Sequence, residues 1–182
     1  MRKRRPKSGV TIIEVLVSCM LALIVVAISF RFYAMLTVWL CTFEQGNLER
    51  TAMIGLEKMI HGVDQDVEMI DGSPFNVAKG LIEAQSISTP LLGNASNQVV
   101  FVDSQEASRS FSQVDDRLVY TDDIGNSRNI IDEDVDQLTV SRAVADVGAA
   151  DDVVYLRLIL RKNVFIGQLE GQAETSVQPR NM

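Results

Sequence analysis

The chain has 182 residues, 17 of them basic and 24 acidic, for a formal net charge of −7. Five of the basic side chains precede Val10, so the remainder is strongly acidic and lacks the clustered Lys and Arg that phosphate recognition needs, which argues against a nucleic-acid partner. The two cysteines, Cys19 and Cys41, are about 33 Å apart along one helix axis, which leaves no disulfide framework.

Residues 1–9 carry Arg2, Lys3, Arg4, Arg5 and Lys7 with no acid among them. Residues 10–30 follow as an apolar run, and at about 1.5 Å per residue a helix of that length matches a hydrocarbon core of roughly 30 Å. Basic side chains beside a span hold their end in the cytoplasm, so the rest of the chain is expected to be exported. The layout also fits a secretory signal peptide, with Ala27-Ile28-Ser29 as its small-residue site. That reading is disfavoured, because the usual apolar region is about 7–15 residues and rarely holds a carboxylate near its start. Glu14 is such a carboxylate. Its ionised form costs on the order of 2–3 kcal/mol within a span, so it needs a partner. A plain membrane anchor accounts for the length and charge asymmetry and leaves Glu14 unexplained.

Residues 31–70 read as an amphipathic continuation of the same helix. Phe32, Met35, Leu36, Trp39, Leu40 and Phe43 recur at spacings of three and four, and Met53, Leu56, Ile60, Val63, Val67 and Ile70 resume the pattern beyond Gly46-Asn47. The helix is expected to reach about Met69, where Asp71, Gly72 and Pro74 break it. Residues 71–182 then form a β-rich exported domain. Alternation predicts strands at 81–88, 98–103, 109–114, 117–121, 137–142 and 153–161, with hairpin turns at 113–117 and 122–126 and a small acidic loop at 144–152. The fold class is therefore α+β, a long N-terminal helix packed on an antiparallel sheet.

Little in the domain points to chemistry. Asp132, Asp134 and Asp136 alternate as at the start of a calcium loop. The template's sixth position falls on Gln137 instead of Gly and its twelfth on Ala143 instead of Glu, so a solvated acidic turn is preferred. His61 is the single histidine and has no partners at ligand spacing, so it reads as a helix-surface residue, and no metal or other cofactor is expected. No nucleophile elbow, phosphate loop or Cys-x-x-Cys is present, and the chain is not expected to be an enzyme.

Ser8-Gly9-Val10-Thr11-Ile12-Ile13-Glu14-Val15-Leu16-Val17 resembles the processing and methylation site of type IV prepilins and type II secretion pseudopilins. The resemblance implies that a prepilin peptidase cuts between Gly9 and Val10, that Val10 becomes the methylated N-terminus, and that Glu14 is the glutamate used in assembly. The family usually has Phe where this chain has Val10. The resemblance also implies a pilin-like fold, an inner-membrane precursor with its C-terminal domain in the periplasm, and partners comprising the peptidase, other pilin or pseudopilin subunits and an inner-membrane assembly platform. The large domain, the lack of a C-terminal cysteine pair and the ending at residues 176–181 are most similar to a minor subunit of the J type. Cleavage would create an α-amino group four residues from Glu14, able to neutralise it within one helix or from a parallel neighbour. The alternative is a single-pass membrane-anchored periplasmic binding domain that never polymerises.

Overall fold

The computed structural model describes residues 11–63, 69–70, 73–74, 78–88, 96–143, 153–164 and 167–179, and gives only the backbone at 69–70, 73–74 and 78. The chain divides into two compact units, Met1–Phe43 and Glu44–Met182. Helix α1, Ile12–His61, supplies the described part of the first and opens the second.

In the first unit α1 is apolar on all sides. From Ile12 to Phe43 its large hydrophobic side chains are exposed. The two hydroxyls at Thr37 and Thr42 turn back on the helix, donating to the carbonyls of Tyr33 (2.8 Å) and Val38 (3.0 Å), so neither asks anything of the surroundings.

In the second unit the helix buries Leu48, Ala52, Gly55, Leu56 and Met59, a stripe at helical spacing. This differs from the expected face. Met53 is 68% exposed, and small residues take its place because the helix lies very close to the strands below. A Cβ at Gly55 would come within 2.6 Å of Ile131 Cδ1, and one at Gly171 within 2.6 Å of Leu48 Cβ and 2.7 Å of the Glu49 nitrogen. The helix also ends earlier than expected. Gly62 takes φ +81 directly after His61, a left-handed position that suits glycine and stops the helix. Strand β1 (Gly62–Val63) then pairs with β4 (Ala78–Lys79), and between them β2 (Met69–Ile70) pairs with β3 (Ser73–Pro74). The expected breakers Asp71 and Gly72 lie outside the described residues, as does Val67.

Two antiparallel sheets complete the domain. The first is a meander of β5 (Ser86–Ser88), β6 (Gln98–Val102), β7 (Ser108–Val114), β8 (Arg117–Thr121) and β9 (Ser127–Ile131), paired in that order. The second comprises β10 (Val135–Ala143), β11 (Val153–Val164) and β12 (Gly167–Val177). The strands expected at 98–103, 109–114, 117–121, 137–142 and 153–161 all form, the last two longer than expected. The one expected at 81–88 is instead a short 3-10 turn, Leu81–Glu83, followed by β5. Leu81 and Ala84 are both buried there, a spacing of three that alternation cannot satisfy. Sequence reading missed β9 and β12, because Ser127-Arg128-Asn129 and the Glu/Gln/Gly-rich β12 have little apolar alternation. Both expected hairpin turns are present, and the expected loop at 144–152 lies outside the described residues.

The buried side chains of α1 and both sheets form one core. Phe101 stacks on Phe111 (centroids 5.8 Å apart) and Phe111 tilts against Tyr120 (5.2 Å), so cross-strand aromatics fill the centre of the meander. The two sheets are joined by a bridge between Ser96 and Val140 and by the side chain of Gln113. Its amide donates to the carbonyls of Asp136 (2.9 Å) and Asp115 (3.2 Å) and accepts from Leu138 N–H (2.9 Å).

Candidate functional site

The sequence singles out Gly9, Val10 and Glu14. Gly9 and Val10 lie outside the described residues. Glu14 is in the first turn of α1, and Thr11 immediately precedes the helix. Glu14 N–H donates to Thr11 Oγ1 (3.3 Å), while Thr11 N–H donates to Glu14 Oε2 (3.3 Å) and the Thr11 hydroxyl lies 3.5 Å from the same oxygen. This is a reciprocal capping box, which supplies partners for backbone N–H groups that a helix start otherwise leaves open. Sequence reading missed it although its Thr-x-x-Glu signature was present. The carboxylate also sits at the positive end of the helix dipole, which favours negative charge. Glu14 Oε1 has no hydrogen-bond partner among the described residues.

Behind Glu14, α1 is long and apolar enough to cross a membrane by length and composition, and none of its most apolar window is buried within the chain. Arg31 is its next charged residue after Glu14. Trp39 stacks on Phe43 one turn later, with ring centroids 5.9 Å apart. Cys19 and Cys41 are both free thiols, Cys19 exposed and Cys41 half-buried.

The acidic triplet does not gather around a common point. Asp136 pairs with Arg161 (3.0 Å), Asp132 accepts from the Asn129 side-chain amide (3.0 Å), and Asp134 turns the chain at φ +68 while its carbonyl accepts Arg161 N–H (2.7 Å). Among the described residues no group of three or more His, Cys, Asp or Glu is placed to hold a metal ion. His61 is exposed at the end of α1.

A buried charged cluster had no sequence signal beyond turn residues. Asp103 is wholly buried between β6 and β7. Its Oδ1 accepts the N–H groups of Gln105 (2.7 Å) and Ala107 (3.2 Å), and its Oδ2 accepts Arg109 Nε (2.8 Å), with Lys79 Nζ at 3.5 Å. Arg109 donates onward to the Tyr120 hydroxyl (2.7 Å). Burial works against the Asp103 carboxylate, yet the bonds from Gln105, Arg109 and Ala107 outweigh it and hold its pKa below the ordinary value. Burial likewise opposes the Arg109 cation, and Tyr120 and Asp103 more than compensate, so its pKa is raised. Burial raises the Tyr120 phenol against the opposing pull of Arg109. The Asp103 carboxylate and the Arg109 guanidinium bind each other, the turn backbone and the Tyr120 hydroxyl, which suits the cluster to locking the β6–β7 hairpin onto β8. No protein-family model, curated protein or solved structure matches the chain.

Proposed function

We propose that the chain is a non-enzymatic filament subunit, a minor pilin or pseudopilin of the J type. In this reading it is cut between Gly9 and Val10 by a prepilin peptidase, methylated at Val10, and held in the inner membrane with its domain in the periplasm. It then joins, or primes, the pseudopilus of a type II secretion system or a type IV pilus. The observation that carries the reading is a single helix with two different environments. From Ile12 to Phe43 it is apolar and exposed all round, and from Leu48 to Met59 one stripe is buried on a domain. A helix of the first kind needs lipid or other helices around it, and the resemblance of residues 8–17 to the prepilin site names the helices of sister subunits. Glu14 supports the same reading. Its Oε1, which has no hydrogen-bond partner among the described residues, is suited to an α-amino group at Val10, and a charge in lipid selects the axial offset between parallel helices that neutralises it.

The capping box favours a second reading, a single-pass anchor carrying a periplasmic binding domain, because it gives Glu14 a role within its own helix. Glu14→Gln separates the two. Glutamine preserves a capping box but carries no charge, so the filament reading expects assembly with partner subunits to fail while the helix stays intact. Unchanged assembly would leave capping as the whole role. The primary test is the mature mass with and without the peptidase. Loss of residues 1–9 plus one methyl group supports the filament reading, and an intact Met1 or a cut near Ser29 refutes it.

A further inference from the structure

β12 is the outer strand of β10–β11–β12, and its 11 residues pair with β11 without a register shift, from Val154↔Val177 to Val164↔Gly167. In such a strand about every second residue directs its N–H and C=O away from the sheet. Among the described residues no backbone hydrogen bond reaches those outward groups. Edge strands are ordinarily protected by shortness, by charged side chains (lysine above all), by proline or by a bulge, and of these β12 has only the glutamates Glu170 and Glu174. β12 has no proline, lysine or bulge, and it is longer than the usual five or six residues. Such an edge is a template for another strand.

The surface beside it is shaped for the side chains of that strand. A groove of about 810 Å³ runs between β12 at Gln172–Thr175 and α1, with Met53, Leu56, Ile60 and Ala173 as its apolar lining. Glu49 and Glu57 of α1 stand along it with a single arginine, Arg50, and His61. On the opposite face of β12, Glu170 and Glu174 are exposed, each already paired with one arginine of β11 (Arg161 at 3.2 Å, Arg157 at 3.0 Å).

We propose that β12 is a docking edge for an extended segment of another polypeptide that alternates apolar and cationic side chains and adds as a fourth strand beside β12. Its apolar residues enter the groove beside α1, and its cations lie across from Glu170 and Glu174, where opposite charges on neighbouring strands attract. A second copy of β12 fits poorly. Antiparallel pairing centred on Gln172 brings Glu170 of each copy opposite Glu174 of the other. The inward residues Gly171, Ala173 and Thr175 are also too small to fill the groove. This surface is independent of cleavage at Gly9, so the mature mass has no bearing on it.

The test uses the full chain in detergent micelles and a fluorescein-labelled decapeptide of alternating lysine and valine, titrated by fluorescence anisotropy. The expected result is saturable binding, with amide exchange slowed in β12. Binding weakens at least tenfold for the same peptide methylated at every backbone nitrogen and for a glutamate–valine peptide. The variant E170K/E174K likewise binds at least tenfold more weakly while keeping its circular dichroism spectrum. Equal binding of the N-methylated peptide would reduce the effect to charge adsorption and overturn the proposal. Absence of saturable binding, or peptide-free protection of β12 that grows with protein concentration and so marks self-pairing, would overturn it as well.

Discussion

Gly171→Ala adds one methyl group where the helix crosses β12. The new Cβ would meet Leu48 Cβ at 2.6 Å and the Glu49 nitrogen and Leu48 carbonyl carbon at 2.7 Å each, all fixed to the helix backbone. No rotamer change clears them, so α1 must lift by about 1 Å to restore ordinary contact, and a gap of that size forfeits up to about half of the dispersion energy at the interface it opens. Overpacking costs about 1–3 kcal/mol, and a backbone obstacle places this site at the upper end. The loss of unfolded-state entropy on replacing glycine offsets only about 0.4–1 kcal/mol. The net expectation is about 2 kcal/mol of destabilisation, a fall in Tm of roughly 5–8 °C for a domain of this size. Two glycines in α1 calibrate the measurement. A Cβ at Gly55 meets the tip of Ile131 (Cδ1, 2.6 Å), which can rotate away, whereas Gly46 has nothing within 4 Å. Gly55→Ala should stay within about 1 kcal/mol of the parent because helix propensity and crowding nearly cancel. Gly46→Ala should gain about 1 kcal/mol from propensity alone. The assay is thermal unfolding of the detergent-solubilised chain, followed by circular dichroism in the β-sheet region. A Gly171→Ala midpoint within 1 °C of the parent, with Gly46→Ala raised as expected, would refute the close approach of α1 to β12.

Asp103→Ala leaves Arg109 buried without its carboxylate and should cost about 3–5 kcal/mol in denaturant unfolding. Because Asp103 has its pKa lowered on folding, its contribution is complete above the ordinary carboxylate value of 3.8 and fades as pH falls through the lower folded value. Unfolding midpoints measured from pH 6 down to pH 2 should therefore fall less steeply in Asp103→Asn than in the parent. Gln113→Leu strips the Leu138 N–H of its acceptor and should cost about 1–3 kcal/mol, with faster amide exchange localised at Leu138. Among the described residues the buried core begins at Leu48, so after deletion of residues 1–43 the remaining chain should be soluble and keep the unfolding midpoint of the full-length protein within a few degrees. Aggregation of that shortened chain with loss of its sheet signal would show that the domain draws stability from the apolar segment.

Sequence alone determined whatever rests on local pattern. The apolar run at 10–30 with its single carboxylate, the alternation in β6, β7, β8, β10 and β11, and the turns at 113–117 and 122–126 are all properties of neighbouring residues, and each is legible in the sequence. The Thr11–Glu14 capping box is equally local, its Thr-x-x-Glu signature lying within four residues. Tertiary structure decided the rest, for reasons of distance. Met53 outranks Ala52 and Gly55 in hydrophobicity, yet the smaller residues face the strands, because how near the helix lies to Ile131, Leu158 and Gly171 is set by residues up to about 120 positions away. The helix stops at Gly62 because that residue takes a left-handed turn into pairing with β4, while the apolar pattern runs on to Ile70. β12 has almost no apolar alternation, and only its partner β11 makes it a strand. Asp103, Arg109 and Tyr120 are ordinary residues in the sequence and become one buried network only when β6, β7 and β8 pair. Patterning is short-ranged and written along the chain. The closeness of surfaces and the matching of buried charges exist only once the chain has folded.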